Sequence, residues 1–243
     1  MVVSSILIAQ TTLTVFAAAS LHQAFPALGT QFEASHPGIS VRFSFNGSQI
    51  LEAQLEQGAA ADIFASADKR QMDKALQAQL VADPKPFASN ELVLVAASSS
   101  KVTTAHDLSA PGTKLVMCAQ AAPCGAYARR LLQGMDADPA YGQTYSGGVL
   151  RNVVSEELDV EGVMSKVTLG EADAGIVYRT DALNQPNLRS IALPALPGTP
   201  IVYAIGVVRT SARASTAADF VAFVLSAGGQ KILAKYGFSA ART

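Results

Sequence analysis

Three short stretches repeat one chemical device. Ala17-Ala18-Ala19-Ser20, Phe45-Asn46-Gly47-Ser48 and Ala122-Pro123-Cys124-Gly125 each follow a strand-like run and precede a helical pattern. Small residues at such a turn let a ligand approach the backbone. The first N–H groups of a helix have no acceptor within it, and they share the partial positive charge of the helix start. Together these make an anion site. Ser20 and Ser48 each add a hydroxyl donor. Taken singly, either serine is more simply an N-cap, a place serine favours; the repetition points to anion binding. Tyr178 ends an apolar run and brings a phenolic OH, although an aromatic there is by itself ordinary core packing.

Other chemistry is thinly represented. Cys124 and Arg130 have the C-x5-R spacing of cysteine phosphatases, in which a helix start lowers the thiol pKa. Yet Pro123 rather than His stands immediately before Cys124, only one Gly lies between, and Leu131-Leu132 put Arg130 on an amphipathic helix. Cys118 and Cys124 close a short loop as a disulfide if the chain is exported and remain thiols if it is cytosolic. His22, His36 and His106 are scattered, and no H-E-x-x-H, paired C-x-x-C, G-x-S-x-G or P-loop occurs. Asp62, Asp68 and Asp181 lie near the motifs; Asp68 reads as an N-cap and the other two as structural.

The elements that must position these residues alternate along the chain. Leu13–Ala17 predicts a strand. Leu21, Phe25, Leu28 and Phe32 then recur at helical spacing behind an N-cap at Ser20, with Pro26 kinking the run or shifting its regular part downstream. Val41, Phe43 and Phe45 alternate as a strand, and Ser48 opens a helix that Gly58 stops. Strands follow at residues 62–65, 91–97, 114–118, 174–178 and 201–208. Helices begin near Asp68, Pro123 and Val160, and two more close the chain. This alternation predicts parallel sheets covered on both faces. Pro84–Asn90 and Pro194–Pro200 read as crossings between two lobes. Residues 11–88 with 201–243 then form one lobe and 89–200 the other. Residues 1–10, apolar and without Lys or Arg, read as a signal remnant or tail.

Composition narrows the function. Of 243 residues, 49% are hydrophobic and 15% charged, which fits a well-buried core. A formal net charge of −1 argues against nucleic acid as a partner. With no Trp, a site built on stacking has few tools. No apolar run beyond the first residues reaches the ~18 a membrane span needs.

The joint pattern over residues 13–238 resembles the periplasmic molybdate-binding proteins of ABC transporters. The resemblance lies in Thr14-Val15-Phe16-Ala17-Ala18-Ala19-Ser20-Leu21, Ala61-Asp62-Ile63-Phe64-Ala65-Ser66-Ala67-Asp68, Gly175-Ile176-Val177-Tyr178 with Thr180-Asp181-Ala182, and Tyr236-Gly237-Phe238. It implies an α/β fold of the two-lobed periplasmic-binding-protein type (type II), with a cleft between lobes joined by two crossovers. It implies a binding protein rather than an enzyme. Molybdate or tungstate would be held without metal cation or cofactor by Ser20, Ser48, Cys124 through its N–H, Val160 through its N–H, and Tyr178. Asn46-Gly47-Ser48 departs from the family's more Ser-rich stretch, and Val160 is placed only by counting back from Tyr178. The implied partner is a membrane permease, the chain a monomer, and the location periplasmic or otherwise extracytoplasmic, with a membrane tether left open. Alternatives remain: a binding protein for another ligand such as sulfate, an organic anion or ferric ion, and the cysteine phosphatase reading. The sensing half of a transcription regulator, which shares the fold, would need a DNA-binding module ahead of residue 13.

Overall fold

Two five-stranded mixed sheets, one from the two ends of the chain and one from its middle, organise the molecule. The computed structural model describes residues 11–195, 198 and 200–241, so the reading of residues 1–10 lies outside the described residues.

The first sheet contains β1 (Thr11–Ala18), β2 (Ile39–Asn46), β3 (Ile63–Ser66), β4 (Val81–Asn90) and β10 (Ile201–Val208), in the order β2-β1-β3-β10-β4. β1 is parallel to both β2 and β3 and is buried along its second half, where Val15-Phe16-Ala17-Ala18 leaves no polar face. On the edge, β2 alternates instead, exposing Arg42 and Ser44. The second sheet contains β5 (Leu92–Ala97), β6 (Leu115–Cys118), β7 (Val153–Glu157), β8 (Ala174–Tyr178) and β9 (Leu188–Ala192), in the order β7-β6-β8-β5-β9.

Helices cover the faces: α1 (Ala24–Ser35), α2 (Ser48–Glu56), α3 (Lys69–Gln77), α4 (Pro123–Met135), α5 (Tyr145–Arg151), α6 (Val160–Thr168), α7 (Ala214–Leu225) and α8 (Ala227–Lys235). α1 buries Phe25, Leu28 and Phe32 at i, i+3, i+7. The Phe32 ring meets Phe220 of α7 edge-on at 5.2 Å. Such a phenylalanine is worth about 3–5 kcal/mol against alanine. Gly170, with φ +74°, follows α6 in the left-handed conformation that ends a helix. No single helix among the described residues is long and apolar enough to cross a membrane.

Several expectations change. The sheets are mixed rather than parallel: β10 runs antiparallel to β3 and β4, and β5 antiparallel to β8 and β9. Residue periodicity carries no strand direction. Pro84–Asn90 is not a connection but most of β4, an edge strand whose only strand neighbour among the described residues is β10, with a single bridge from Ser89 to Ser239. Pro84 and Pro86 are tolerated because the pairing with β10 is irregular alongside them and the far side of an edge needs no N–H. The chain passes to the second sheet between Asn90 and Leu92, two residues beyond the division expected at residue 88. It returns between Ala192 and Ile201; positions 196, 197 and 199 of the Pro194–Pro200 segment lie outside the described residues. β7 and β9 went unforeseen because both are half-exposed edge strands. Ser20 does not cap the first helix. It lies in a 3-10 turn, Ala19–Leu21, and α1 begins at Ala24 with Pro26 in its first turn.

Candidate functional site

The carboxyl ends of strands from both sheets face one pocket, with about 220 Å³ of empty space, mouth included. Its lining comes from six connections. β1 leads into Ala18-Ala19-Ser20, β2 into Gly47-Ser48, and β3 into Ala67. β6 leads into Ala122-Pro123-Cys124, β7 into Asp159-Val160, and β8 ends at Tyr178. All five residues singled out in the sequence, Ser20, Ser48, Cys124, Val160 and Tyr178, therefore line one cavity.

Three helix starts border this space, at Ser48, Cys124 and Val160. In α2 the first bonded N–H is that of Ile50, to Gly47 O, so those of Ser48 and Gln49 precede the helical ladder. In α4 it is that of Ala126, to Ala122 O, which leaves those of Cys124 and Gly125. In α6 Asp159 Oδ1 accepts from Gly162 N, ahead of which stand Val160 and Glu161. Pro123 occupies the first turn of α4, where the N–H it lacks would have had no helical acceptor. Gly125 is required there, since a Cβ would lie 2.0 Å from Ala119 O. Cys118 and Cys124 form a disulfide that ties the end of β6 to the start of α4. It removes the thiol that the phosphatase reading needs, and Arg130 instead lies over the Tyr127 ring.

The hydroxyls are buried and engaged in ways that capping does not explain. Ser48 Oγ accepts from Ala67 N at 3.0 Å, and Ser20 Oγ lies 2.8 Å from Tyr203 OH. Tyr178 is 2% exposed and its OH has no partner among the described residues. Burial, the main cause, holds its pKa well above the usual phenol value, so the hydroxyl keeps its proton.

Among the described residues no Lys, Arg or His lines the pocket. Among the described residues no group of three or more His, Cys, Asp or Glu could hold a metal ion. Asp62 accepts from Thr14 N and Ser211 Oγ, Asp68 caps α3 through Gln71 N, and Asp181 accepts from Tyr178 N; none of the three borders the cavity. Burial first, then the neighbouring Glu161, pushes the Asp181 pKa up to about 8. Asp159 does border the pocket, with Oδ1 turned to cap α6. Apart from the Asp159 carboxylate, the side chains that line the pocket carry no charge.

Around the mouth, side chains of the first lobe reach the second. Gln49 Nε2 donates to Leu158 O at 2.8 Å, Arg70 Nη2 to Ala121 O at 3.0 Å, and His22 Nδ1 lies 3.0 Å from Glu161 Oε1.

Sequence reading missed Tyr203, Asn90, Asp159 and the Ala67 N–H. Tyr203 was within reach: a hydroxyl inside the apolar run Ile201–Val208 needs a partner when buried. The Ala67 N–H left no signal in residue type.

Three comparisons bear on this geometry. A family model described as bacterial extracellular solute-binding protein matches residues 13–239. The molybdate-binding protein ModA of Mycobacterium tuberculosis is 43% identical over 232 residues, covering 94% of this chain and 84% of that protein. A putative ABC transporter substrate-binding lipoprotein of Bacillus subtilis, YvgL, is 30% identical over 94% of this chain and 86% of its own length. In fold, the chain superimposes on the periplasmic molybdate-binding protein of Azotobacter vinelandii with a TM-score of 0.81, covering 95% of this chain and 100% of that one at 20% identity.

Proposed function

Since the chain belongs to the bacterial extracellular solute-binding protein family, we propose that it binds molybdate, and tungstate with it, in the pocket between its two sheets, for delivery to an ABC-type import permease. Members of this family act outside the cytoplasm. A periplasmic location is the finer reading, and the lipoprotein relative supports a membrane tether.

The observation that carries this reading is the Tyr178 hydroxyl, buried without a partner on the wall of a cavity into which helix starts from both lobes open. A buried polar group without a bond costs free energy, so its presence calls for a ligand that accepts hydrogen bonds. A tetrahedral dianion with no proton fits. Ser20, Ser48 and Tyr178 donate O–H groups, and Cys124 and Val160 donate N–H groups. Each such charge-assisted bond contributes on the order of 1.5–3 kcal/mol net. Together these can replace lost hydration without a formal positive charge.

The mechanism follows from the placement of the donors. Ser20 and Ser48 belong to the first lobe, and Cys124, Val160 and Tyr178 to the second. The ion bridges them, so binding favours approach of the lobes. Only two short connections join the sheets. The permease then reads the closed form.

Calorimetric titration with molybdate, tungstate, sulfate and phosphate tests this. Molybdate and tungstate are expected to bind alike and far more tightly than the other two. Tighter binding of sulfate or phosphate overturns the assignment.

A further inference from the structure

Behind Ser20 the structure holds a chain of hydroxyl and amide groups that ends on an amide. Asn90 Nδ2 lies 3.3 Å from Tyr203 OH and 2.9 Å from Thr180 Oγ1. Asn90 Oδ1 accepts from the Glu91 N–H at 2.9 Å, which fixes the amide so that its NH2 faces the two hydroxyls. An NH2 group only donates. The Tyr203 oxygen therefore accepts from Asn90, and the phenolic proton is left to donate to Ser20 Oγ, 2.8 Å away. With a lone pair of Ser20 so engaged, the hydroxyl's own proton is the group it has to offer the pocket. Tyr203 is fully buried, and burial, the largest cause, keeps its pKa well above the usual phenol value, so the proton stays on the ring oxygen. Ser48 is set in the same sense by the Ala67 N–H.

We infer that Tyr203 and Asn90 are positioning residues that fix Ser20 as a hydrogen-bond donor and so turn the pocket against anions that carry a proton. A protonated oxyanion needs an acceptor for its own O–H. A serine free to turn its proton back onto Tyr203 could supply one, but the relay from Asn90 through Tyr203 takes up one of the two Ser20 lone pairs and directs the Ser20 proton to the pocket. The relay also starts where the chain leaves the first sheet and runs through the strand on which it returns, since Asn90 ends β4 and Tyr203 lies near the start of β10. The inference rests on the reading of the pocket as an oxyanion site and adds the residues that set its selectivity.

Tyr203→Phe removes the hydroxyl and retains the ring that packs edge-on against Phe87, Phe238 and Tyr178. Asn90→Asp presents an acceptor where an NH2 stood, which draws the Tyr203 proton away and makes Ser20 donate backward. Affinities for molybdate, and for phosphate by competition against molybdate, are measured at mildly alkaline pH, where phosphate carries one proton. Tyr203→Phe is expected to weaken molybdate about fivefold to tenfold and phosphate less, so the ratio between the two narrows; Asn90→Asp narrows it further. Loss of both anions by one common factor, or unchanged affinities in both variants, overturns the relay, because a merely structural role does not move the ratio. Should Tyr203→Phe fail to fold, Asn90→Asp decides alone. Absence of binding of molybdate, tungstate, sulfate and phosphate alike by the unaltered protein overturns the oxyanion site itself, a result distinct from the other two.

Discussion

Replacing Tyr178 by phenylalanine separates a ligand contact from core packing, because the two roles move stability and affinity in different directions. The ring is 2% exposed and stands edge-on to Tyr203 at 5.8 Å, contacts that phenylalanine preserves. The hydroxyl has no partner among the described residues. Its removal relieves a desolvation cost of up to about 1–3 kcal/mol. The ligand-free variant should therefore melt no lower than the unaltered protein. For a chain of this length each kcal/mol raises the melting temperature by about 2–4 °C. In the complex the same change deletes a charge-assisted bond worth about 1.5–3 kcal/mol, so molybdate should bind roughly 10- to 150-fold more weakly. Calorimetry reads the affinity and thermal unfolding without ligand reads the stability. Molybdate affinity within about twofold of the unaltered protein would refute the reasoning. A fall in ligand-free stability would show instead that the ring's packing had been disturbed.

The remaining predictions concern closure and protonation. Gln49→Ala or Arg70→Ala removes a bond across the mouth to Leu158 O or Ala121 O. Stopped-flow release of molybdate should quicken severalfold while association changes little, in line with a contact made only after closure. His22 is drawn above its usual value of 6.5 chiefly by its hydrogen bond with Glu161, which it reaches across the mouth. Its contribution to the closed form is thus complete below about pH 6.5 and lost as pH rises through the raised value. Both side chains are partly exposed, so the effect stays below about 1 kcal/mol; His22→Gln should flatten that part of the affinity–pH curve. Asp181, pushed up to about 8 by burial, binds a proton in the folded state that it releases on unfolding above its ordinary 3.8. Stability should be greatest below about pH 4 on this account and fall toward pH 8 by as much as ~1.4 kcal/mol per pH unit. Asp181→Asn should remove that slope from thermal unfolding curves of the ligand-free protein.

The parts of this molecule that were legible in its residues are those written by local chemistry. Small residues at three strand ends marked the turns that now line the cavity, and the run of phenylalanines at helical spacing marked the buried face of α1. Tyr178 was placed at the site by resemblance, where its position alone favoured the core. What stayed hidden depends on partners far along the chain. Ser20 bonds Tyr203, 183 residues away, and Ser48 takes the Ala67 N–H, so neither serine caps a helix as its type led one to expect. Strand direction was hidden too: Ile201–Val208 reads the same whether it runs with its neighbours or against them. Pro84 and Pro86 pointed to a connection because prolines in a strand are tolerable only at an unpaired edge or a bulge, and β4 has both.

The position of β10 has a consequence for how the chain acquires its shape. It lies between β3 and β4, both of which precede it by more than a hundred residues, so the first sheet stays split in two until nearly all the polypeptide is present. The strands of the second sheet are consecutive in sequence and wait for nothing downstream. Assembly during synthesis or export should therefore begin in the middle of the chain, with the halves of the first sheet joined last.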